Sequence, residues 1–551
     1  MKILALSLLA LVSLPAFAQM AMDHPAQPAN ATAPERLGPV FFSVSCASAV
    51  QVPFNRGVAL LHDFWYEEAK RQFEEIAKAD PGCAMAHWGV AMSYFHQIWS
   101  RPNESDNAQG WAEMQKAQSP AAKTARERAY IAALSDFYRP EKQEFPERIQ
   151  AYSDAMGKLY AQYPGDVDAG AFYALSLLAA APPNDTSLAA ERKAMAVLTP
   201  LSAKYPDNPG VVHYIIHSCD NPAMATEGLA AANHYGEIAP SGAHAYHMPG
   251  HIYARLGMWP QDIEANLGSV AAAKAAQAKY GSGIMDEPHA YDFLLYAYMQ
   301  IGQDDRAKWV LDQTATLLTQ IGSMPAMSGH RMAGMVAYYG SKYPVFYALE
   351  MRDWKSAAAL EPVAGSPPEV ATLAIWARAI AHGHLRQPAE ARADLARYDS
   401  LLNEVKKGKN SYMADETGAK IERGEILGWV AFAEGKQDDG LKNMHAAADL
   451  QDKVGQGEVD IPAREMLADM LLDSHQPQQA LAEYRVALKL SPNRFNGLYH
   501  AGLAAEAVGD KTMAQQYYAA LLKSTDNGVQ CARPELVHVK SFVSSTQLAA
   551  K

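Results

Sequence analysis

The chain offers no excess of basic charge: 48 Lys and Arg stand against 60 Asp and Glu, a net charge of −12 over 551 residues. A nucleic-acid binder carries a basic field, so no nucleic-acid partner is expected. Beyond the N-terminal segment there is no run of eighteen uninterrupted apolar residues, so no membrane span is expected. The HExxH pattern of a zinc-protease helix is absent, as is the GxSxG of a nucleophile elbow. Cysteine is scarce, with four residues, and none follows the first apolar stretch to carry a lipid anchor. The composition is otherwise ordinary for a globular protein, 49% hydrophobic and 20% charged. Such a length exceeds one compact domain, so several domains or a repeat array are expected.

The segment MKILALSLLALVSLPAFA places Lys2 ahead of an apolar run from Ile3 to Leu14 and closes on Ala16-Phe17-Ala18. That order is a secretory signal peptide, residues 1–18, cleaved after Ala18, and the mature chain is expected to be periplasmic or secreted. Residues 19–45, rich in Ala, Pro and Asn, read as a flexible leader. In an oxidising compartment Cys46 and Cys83, which flank the first helical hairpin, are expected to form a disulfide. Closing that loop contributes roughly 3–4 kcal/mol in the chain-entropy view. Cys219 and Cys531 are left as thiols, with Cys219 an alternative metal ligand; four cysteines admit three pairings.

Self-similarity at a period of 34 residues governs the fold. Ala480, Tyr484, Ala487 and Pro492 stand at positions 20, 24, 27 and 32 of one unit. Gly502, Ala514 and Tyr518 occupy 8, 20 and 24 of the next, and Gly57, Ala69, Phe73 and Pro81 occupy 8, 20, 24 and 32 near the start. This resembles the tetratricopeptide repeat, a helix-turn-helix unit. Small residues at 8 and 20 allow helices to approach, the aromatic at 24 fills the gap, and Pro at 32 ends the second helix. Further units start at Pro209, Ala243 and Pro288, with about eleven residues inserted around 270–287. The polar stretch 403–420 reads as a long loop. The resemblance implies an all-α, right-handed solenoid of about ten hairpins, divided into an N-terminal array, 46–345, and a C-terminal array, 346–551.

Six of the 18 histidines fall between 213 and 251. In the resembling fold, positions 2, 5, 9, 12 and 13 of each first helix face the concave groove. His213, His217 and Asp220 take positions 5, 9 and 12 of one unit; His244, His247 and His251 take 2, 5 and 9 of the next. His289 and Asp292 take 2 and 5 of a third, and His62 and His96 both fall at 13. Spacings of three, four and seven put such side chains on one helix face, and packed helices lie about 8–10 Å apart. Imidazoles from neighbouring first helices can therefore share one ion. His213, His217, His244, His247 and His251 are the expected ligands, with Asp220, His289, Asp292, His62 and His96 supporting them or binding a ligand. Neutral imidazole suits zinc first, and also copper, iron or nickel. Pro249 falls inside the helix carrying His244 and His247, and the alternative is a helix that begins at Pro249.

The segments FNRGVALLHDFWYEEAKRQFEEIAKADPGCAMAHWGVAMSY, HYIIHSCDNP, APSGAHAYHMPGHIYARLGMW, HAYDFLLYAYMQIG and YALEMRDWKSAAAL also resemble a group of secreted bacterial tetratricopeptide proteins of unassigned function, over roughly residues 50–400. Two readings follow. In one, the His-rich groove binds a metal and either a ligand or a substrate for metal-assisted hydrolysis. In the other, the groove is a metal-free surface for a protein or peptide partner in the cell envelope. Whether the chain is an enzyme is left open.

Overall fold

Gly57 and Phe73 show why the repeat signature folds as it does. A Cβ on Gly57 would lie 2.6 Å from the Phe73 ring, and one on Gly89 would lie 2.3 Å from the same ring. Phe73, on the helix Tyr66–Ala79, is thus clamped between the first helix of its own hairpin, Gln51–His62, and that of the next, Ala84–Met92. Gly502 and Tyr518 repeat the contact at 2.1 Å in the last hairpin. The apolar stripe of each second helix recurs at helical spacing, as with buried Ala69, Phe73 and Ile76.

The computed structural model describes residues 34–98, 101–118, 122–139, 144–182, 185–323, 330–407, 416–529 and 531–549. The expected signal peptide, 1–18, lies outside the described residues. Among the described residues there are 25 α-helices, two short 3-10 turns and no strand. They pair in sequence as twelve hairpins followed by the helix Glu535–Ala549. The repeat phase predicts about ten, because the pairs between 104 and 204 keep few signature residues. No helix among the described residues is long and apolar enough to cross a membrane.

Several expectations change in detail. The leader is not loose up to residue 45: Leu37, Val40 and Phe42 are buried, and Phe42 lies against Phe54, Trp88 and Tyr130. Burial of these three side chains outweighs the Ala- and Pro-rich composition around them. The insertion around 270–287 lengthens the second helix of its hairpin to Trp259–Tyr280, and residues 281–285 connect it to the next helix, Asp286–Gln300. The described part of 403–420 is helical, within Pro388–Lys407 and Glu416–Ala433, while 408–415 lie outside the described residues. The boundary at 345/346 falls within the helix His330–Glu350. Tyr339 and Tyr343 of that helix enter the apolar core of 254–343, and Val345 and Phe346 enter the core of 345–539, so one helix joins the two arrays. Cys46 and Cys83 are joined in a disulfide, and Cys219 and Cys531 are free thiols.

The array also folds back on itself. Arg36 N–H donates to Ser241 Oγ at 2.9 Å, Tyr280 hydroxyl to Glu35 at 2.7 Å, and Trp65 Nε1 to Ser282 Oγ at 3.1 Å. On the other side, Trp259 Nε1 donates to the Asn493 carbonyl at 2.8 Å, and Asn493 Nδ2 to the Gly257 carbonyl at 3.1 Å. Gly257 has φ +63°, and an added Cβ would meet the Pro492 carbonyl oxygen at 2.3 Å. The first helices of the middle hairpins are therefore covered by both the N-terminal hairpin and the C-terminal array.

One buried carboxyl gives a pH-dependent test of this packing. Trp376 Nε1 donates to Glu425 Oε2 at 2.6 Å, and burial, with Asp460 and Glu422 adding to it, pushes Glu425 up to about 8. The folded chain then holds a proton that the unfolded chain releases above its ordinary range. Stability from this group is full in acid and is lost as pH rises towards about 8. Relative to the parent, Glu425→Gln is expected to gain stability at about 1.4 kcal/mol per pH unit across that window. Parallel denaturant titrations at several pH values, showing a constant difference, would refute it.

Candidate metal centre

Asn208 caps the helix Pro209–Cys219 by accepting from the Val211 N–H at 3.0 Å, and Pro209 sits in its first turn. His213 and His217 then project one turn apart on the same face. The neighbouring helix Ala243–Arg255 runs unbroken through Pro249, so His244, His247 and His251 share one face, and the alternative start at Pro249 is not adopted. The helix Asp286–Gln300 adds His289 and Phe293.

The histidines separate into two triads. One ring nitrogen from each of His213, His217 and His244 lies within 4.8 Å of the others, and the same holds for His247, His251 and His289. The single five-histidine site expected from the repeat phase is therefore divided, with His289 promoted from supporting residue to member. His244 and His247 are three residues apart, and their rings, 5.9 Å between centroids, belong to different triads.

The first triad is largely buried. His213 Nδ1 donates to the His62 carbonyl at 2.5 Å, which leaves the lone pair on Nε2. Nε2 of His213 and Nε2 of His217 are buried with no hydrogen-bond partner. Phe64, held at φ +56°, covers them, its ring centroid 4.5 Å from His213, 5.5 Å from His217 and 5.3 Å from His244. Burial pushes His213 down to about 3, and it drives His217 and His244 well below the usual histidine range. Burial thus favours the neutral form of all three, the form a metal requires.

In the second triad, His247 Nδ1 donates to Asn266 Oδ1 at 2.7 Å, and Asn266 Nδ2 in turn donates to Asp262 Oδ1 at 2.7 Å. His247 Nε2 faces His251 Nε2 at 2.9 Å. His251 Nδ1 donates to Asp220 Oδ2 at 2.9 Å and Glu458 Oε1 at 3.0 Å. Burial opposes charge on His251, but the two carboxylates outweigh it and push the ring up to about 10. Arg255 binds the same pair, through Nε to Asp220 at 3.0 Å and Nη2 to Glu458 at 3.4 Å.

The remaining expected residues have other duties. Asp220 orients His251 instead of joining the first triad. His62 uses both ring nitrogens on Tyr214 hydroxyl and Asp168 Oδ1, each at 3.0 Å, and supports His213 through its carbonyl alone. Asp292 is held by Lys342 Nζ at 2.5 Å. His96 stacks on Tyr66 with centroids 4.3 Å apart and reaches the Ser93 carbonyl. Cys219 is no ligand: its Sγ packs 3.7 Å from Met195 Sδ. Sequence reasoning missed Phe64, Asn266, Asp262 and Glu458. Asn266 lies on a second helix, 19 residues from His247, and Glu458 comes from a turn 207 residues away from His251. No periodicity points to either.

A backbone position supports this site as firmly as the rings do. A Cβ on Gly210 would meet the His62 ring at 2.3 Å from Nδ1. Gly210→Ala is expected to displace His62, cost about 1–3 kcal/mol by overpacking, and weaken any ion held through His213. Unchanged unfolding and unchanged metal retention would contradict this.

No family model matches the chain, and no curated protein matches it. Among solved structures it is similar to a human IFIT1 dimer with m7Gppp-AAAA, at 12% identity over 80% of this chain and 90% of that one, with a TM-score of 0.34. It is similar to Naa15/Naa10 bound to HypK-THB at 12% identity over 90% of this chain and 91% of that one, TM-score 0.25. It is also similar to the P58(IPK) TPR domain at 12% identity over 91% and 99%, TM-score 0.19. The hairpin order and the Gly–aromatic contacts of its own chain make this protein an all-α, tetratricopeptide-type helical solenoid.

Proposed function

We propose that this chain is a periplasmic or secreted tetratricopeptide-type protein that holds a transition-metal ion at His213, His217 and His244. One observation carries the reading. Three imidazoles converge within 4.8 Å, and the Nε2 atoms of His213 and His217 are buried without a partner while Nδ1 of His213 is already engaged. A buried acceptor left unmade costs about 1–3 kcal/mol, and a shared ion removes that cost. A ring nitrogen bonded to a backbone carbonyl is the support that metal-bound histidines use. Three neutral imidazoles suit zinc, with copper, iron or nickel as alternatives. When bound, such an ion keeps a position for water or a ligand and acidifies that water. The residues of this chain hold the donors neutral, fix the His213 tautomer, and cover the face with Phe64. The N-terminal segment and the Cys46–Cys83 disulfide support an oxidising compartment, and kinship with the secreted bacterial group belongs to this proposal.

The test is elemental analysis of tag-free protein beside His213→Ala/His217→Ala. The parent is expected to retain an equivalent of metal that the variant loses, with the helical content of both alike. Equal metal in both, or none after reconstitution with zinc, copper, iron and nickel, would overturn it.

A second reading, a scaffold for a protein partner, is favoured by a different face. The C-terminal array carries an open groove of about 550 Å³ lined by Leu441, His445, Asp449, Leu467, Leu471 and Glu483. The His-bearing helices are covered, so a peptide partner is served by this groove and not by theirs. The net charge of −12 supports a protein over a nucleic acid there.

A further inference from the structure

We propose that His247, His251 and His289 hold a second metal ion beside the first, making a dinuclear centre that binds a small anion between its two ions. This deepens the reading above and rests on it. The second triad has the same construction as the first: one ring nitrogen from each residue lies within 4.8 Å of the others. Two of its rings, His247 and His251, are each turned by a bond on the far nitrogen. Asn266 Oδ1 takes the Nδ1 proton of His247, and Asp220 with Glu458 takes that of His251. The two Nε2 atoms thereby face each other in a hydrogen bond of 2.9 Å, which a shared ion would replace. A carboxylate behind a histidine is the arrangement that raises ligand basicity at metal sites.

The two triads adjoin because one helix serves both. His244 and His247 lie three residues apart, with ring centroids 5.9 Å apart, so the two ions are neighbours across that helical turn. The donor set then specifies the ligand. Six imidazoles bring no charge, His251 giving up its Nε2 proton as the ion binds. Asp220 and Glu458 stop at His251 Nδ1 and share Arg255, leaving a net of one negative charge against two divalent cations. Buried positive charge without a counter-charge is costly, so a small anion fits between the ions. Phe64 beside His217 and His244, and Phe293 with ring centroids 4.7 Å from His247 and 4.8 Å from His251, exclude a bulky one.

The experiment is titration of chelator-stripped protein with Cu(II), followed by electron paramagnetic resonance with and without sodium azide. The parent is expected to bind two equivalents, with the Cu(II) signal attenuated by coupling and altered by azide. His289→Ala is expected to bind one equivalent, with the full signal of an isolated ion, and Asn266→Ala to weaken the second equivalent alone. A parent that binds one equivalent, kept by His289→Ala and lost by His213→Ala/His217→Ala, overturns the dinuclear centre and leaves the first site standing. Two equivalents with full, uncoupled signals that azide leaves unchanged overturn the shared anion. No binding in the parent overturns both readings.

Discussion

Arg494→Ala is expected to cost about 3–5 kcal/mol, the usual effect of removing one partner from a buried ion cluster. The guanidinium is 1% exposed and donates to Glu465 Oε2 at 2.9 Å and Glu350 Oε1 at 2.7 Å, and also to the Tyr296 hydroxyl. Burial works against its charge, lowering it to about 9. Removing the arginine leaves two buried carboxyls without the cation they both hydrogen-bond. The effect should extend to the histidines. Arg494 Nη1 donates to the Asp460 carbonyl at 3.2 Å and Tyr296 hydroxyl donates to the same oxygen at 2.6 Å. Those bonds pin the turn that brings Glu458 to His251. Denaturant unfolding gives the cost, and Arg494→Met with Glu350→Gln and Glu465→Leu should recover most of it. A single variant within about 1 kcal/mol of the parent would show that the cluster does not hold the C-terminal array in place.

The second large effect concerns the ion. An ion that binds the folded chain alone stabilises it by about 2.7 kcal/mol when free metal is 100 times its Kd. For the cooperative unit around the site this is a rise in Tm of about 5–10 °C. His213→Ala/His217→Ala should show a smaller rise, limited to whatever the second triad contributes. The variant also loses two buried acceptors, so its metal-free form should unfold no more easily than a core truncation of that size implies. Equal rises in parent and variant would place the stabilising ion elsewhere, the second triad included.

The helical repeat was legible because its signature is a set of local contacts. Gly57 against Phe73 and Gly502 against Tyr518 are short-range pairs, and their spacing survives in sequence. The histidines were legible for the same reason: repeat phase and helical spacing put His213 with His217, and His244 with His247 and His251, on shared faces. Their division into two triads was not, since it depends on how adjacent hairpins turn relative to one another. Glu458 and Phe64 were invisible. Each reaches the site because the array closes on itself, and such closure leaves no periodic mark. The end of the leader was misplaced because Phe42 is fully buried within a stretch whose average composition is that of a linker.

The most direct test of the central claim is an anomalous-difference map from crystals of the mature chain loaded with zinc and measured across the zinc edge. The account predicts a peak bonded to His213, His217 and His244, at about 2.0–2.1 Å from each nitrogen. A map with no peak there, in crystals whose zinc lies only on surface carboxylates or surface histidines such as His234, would contradict it.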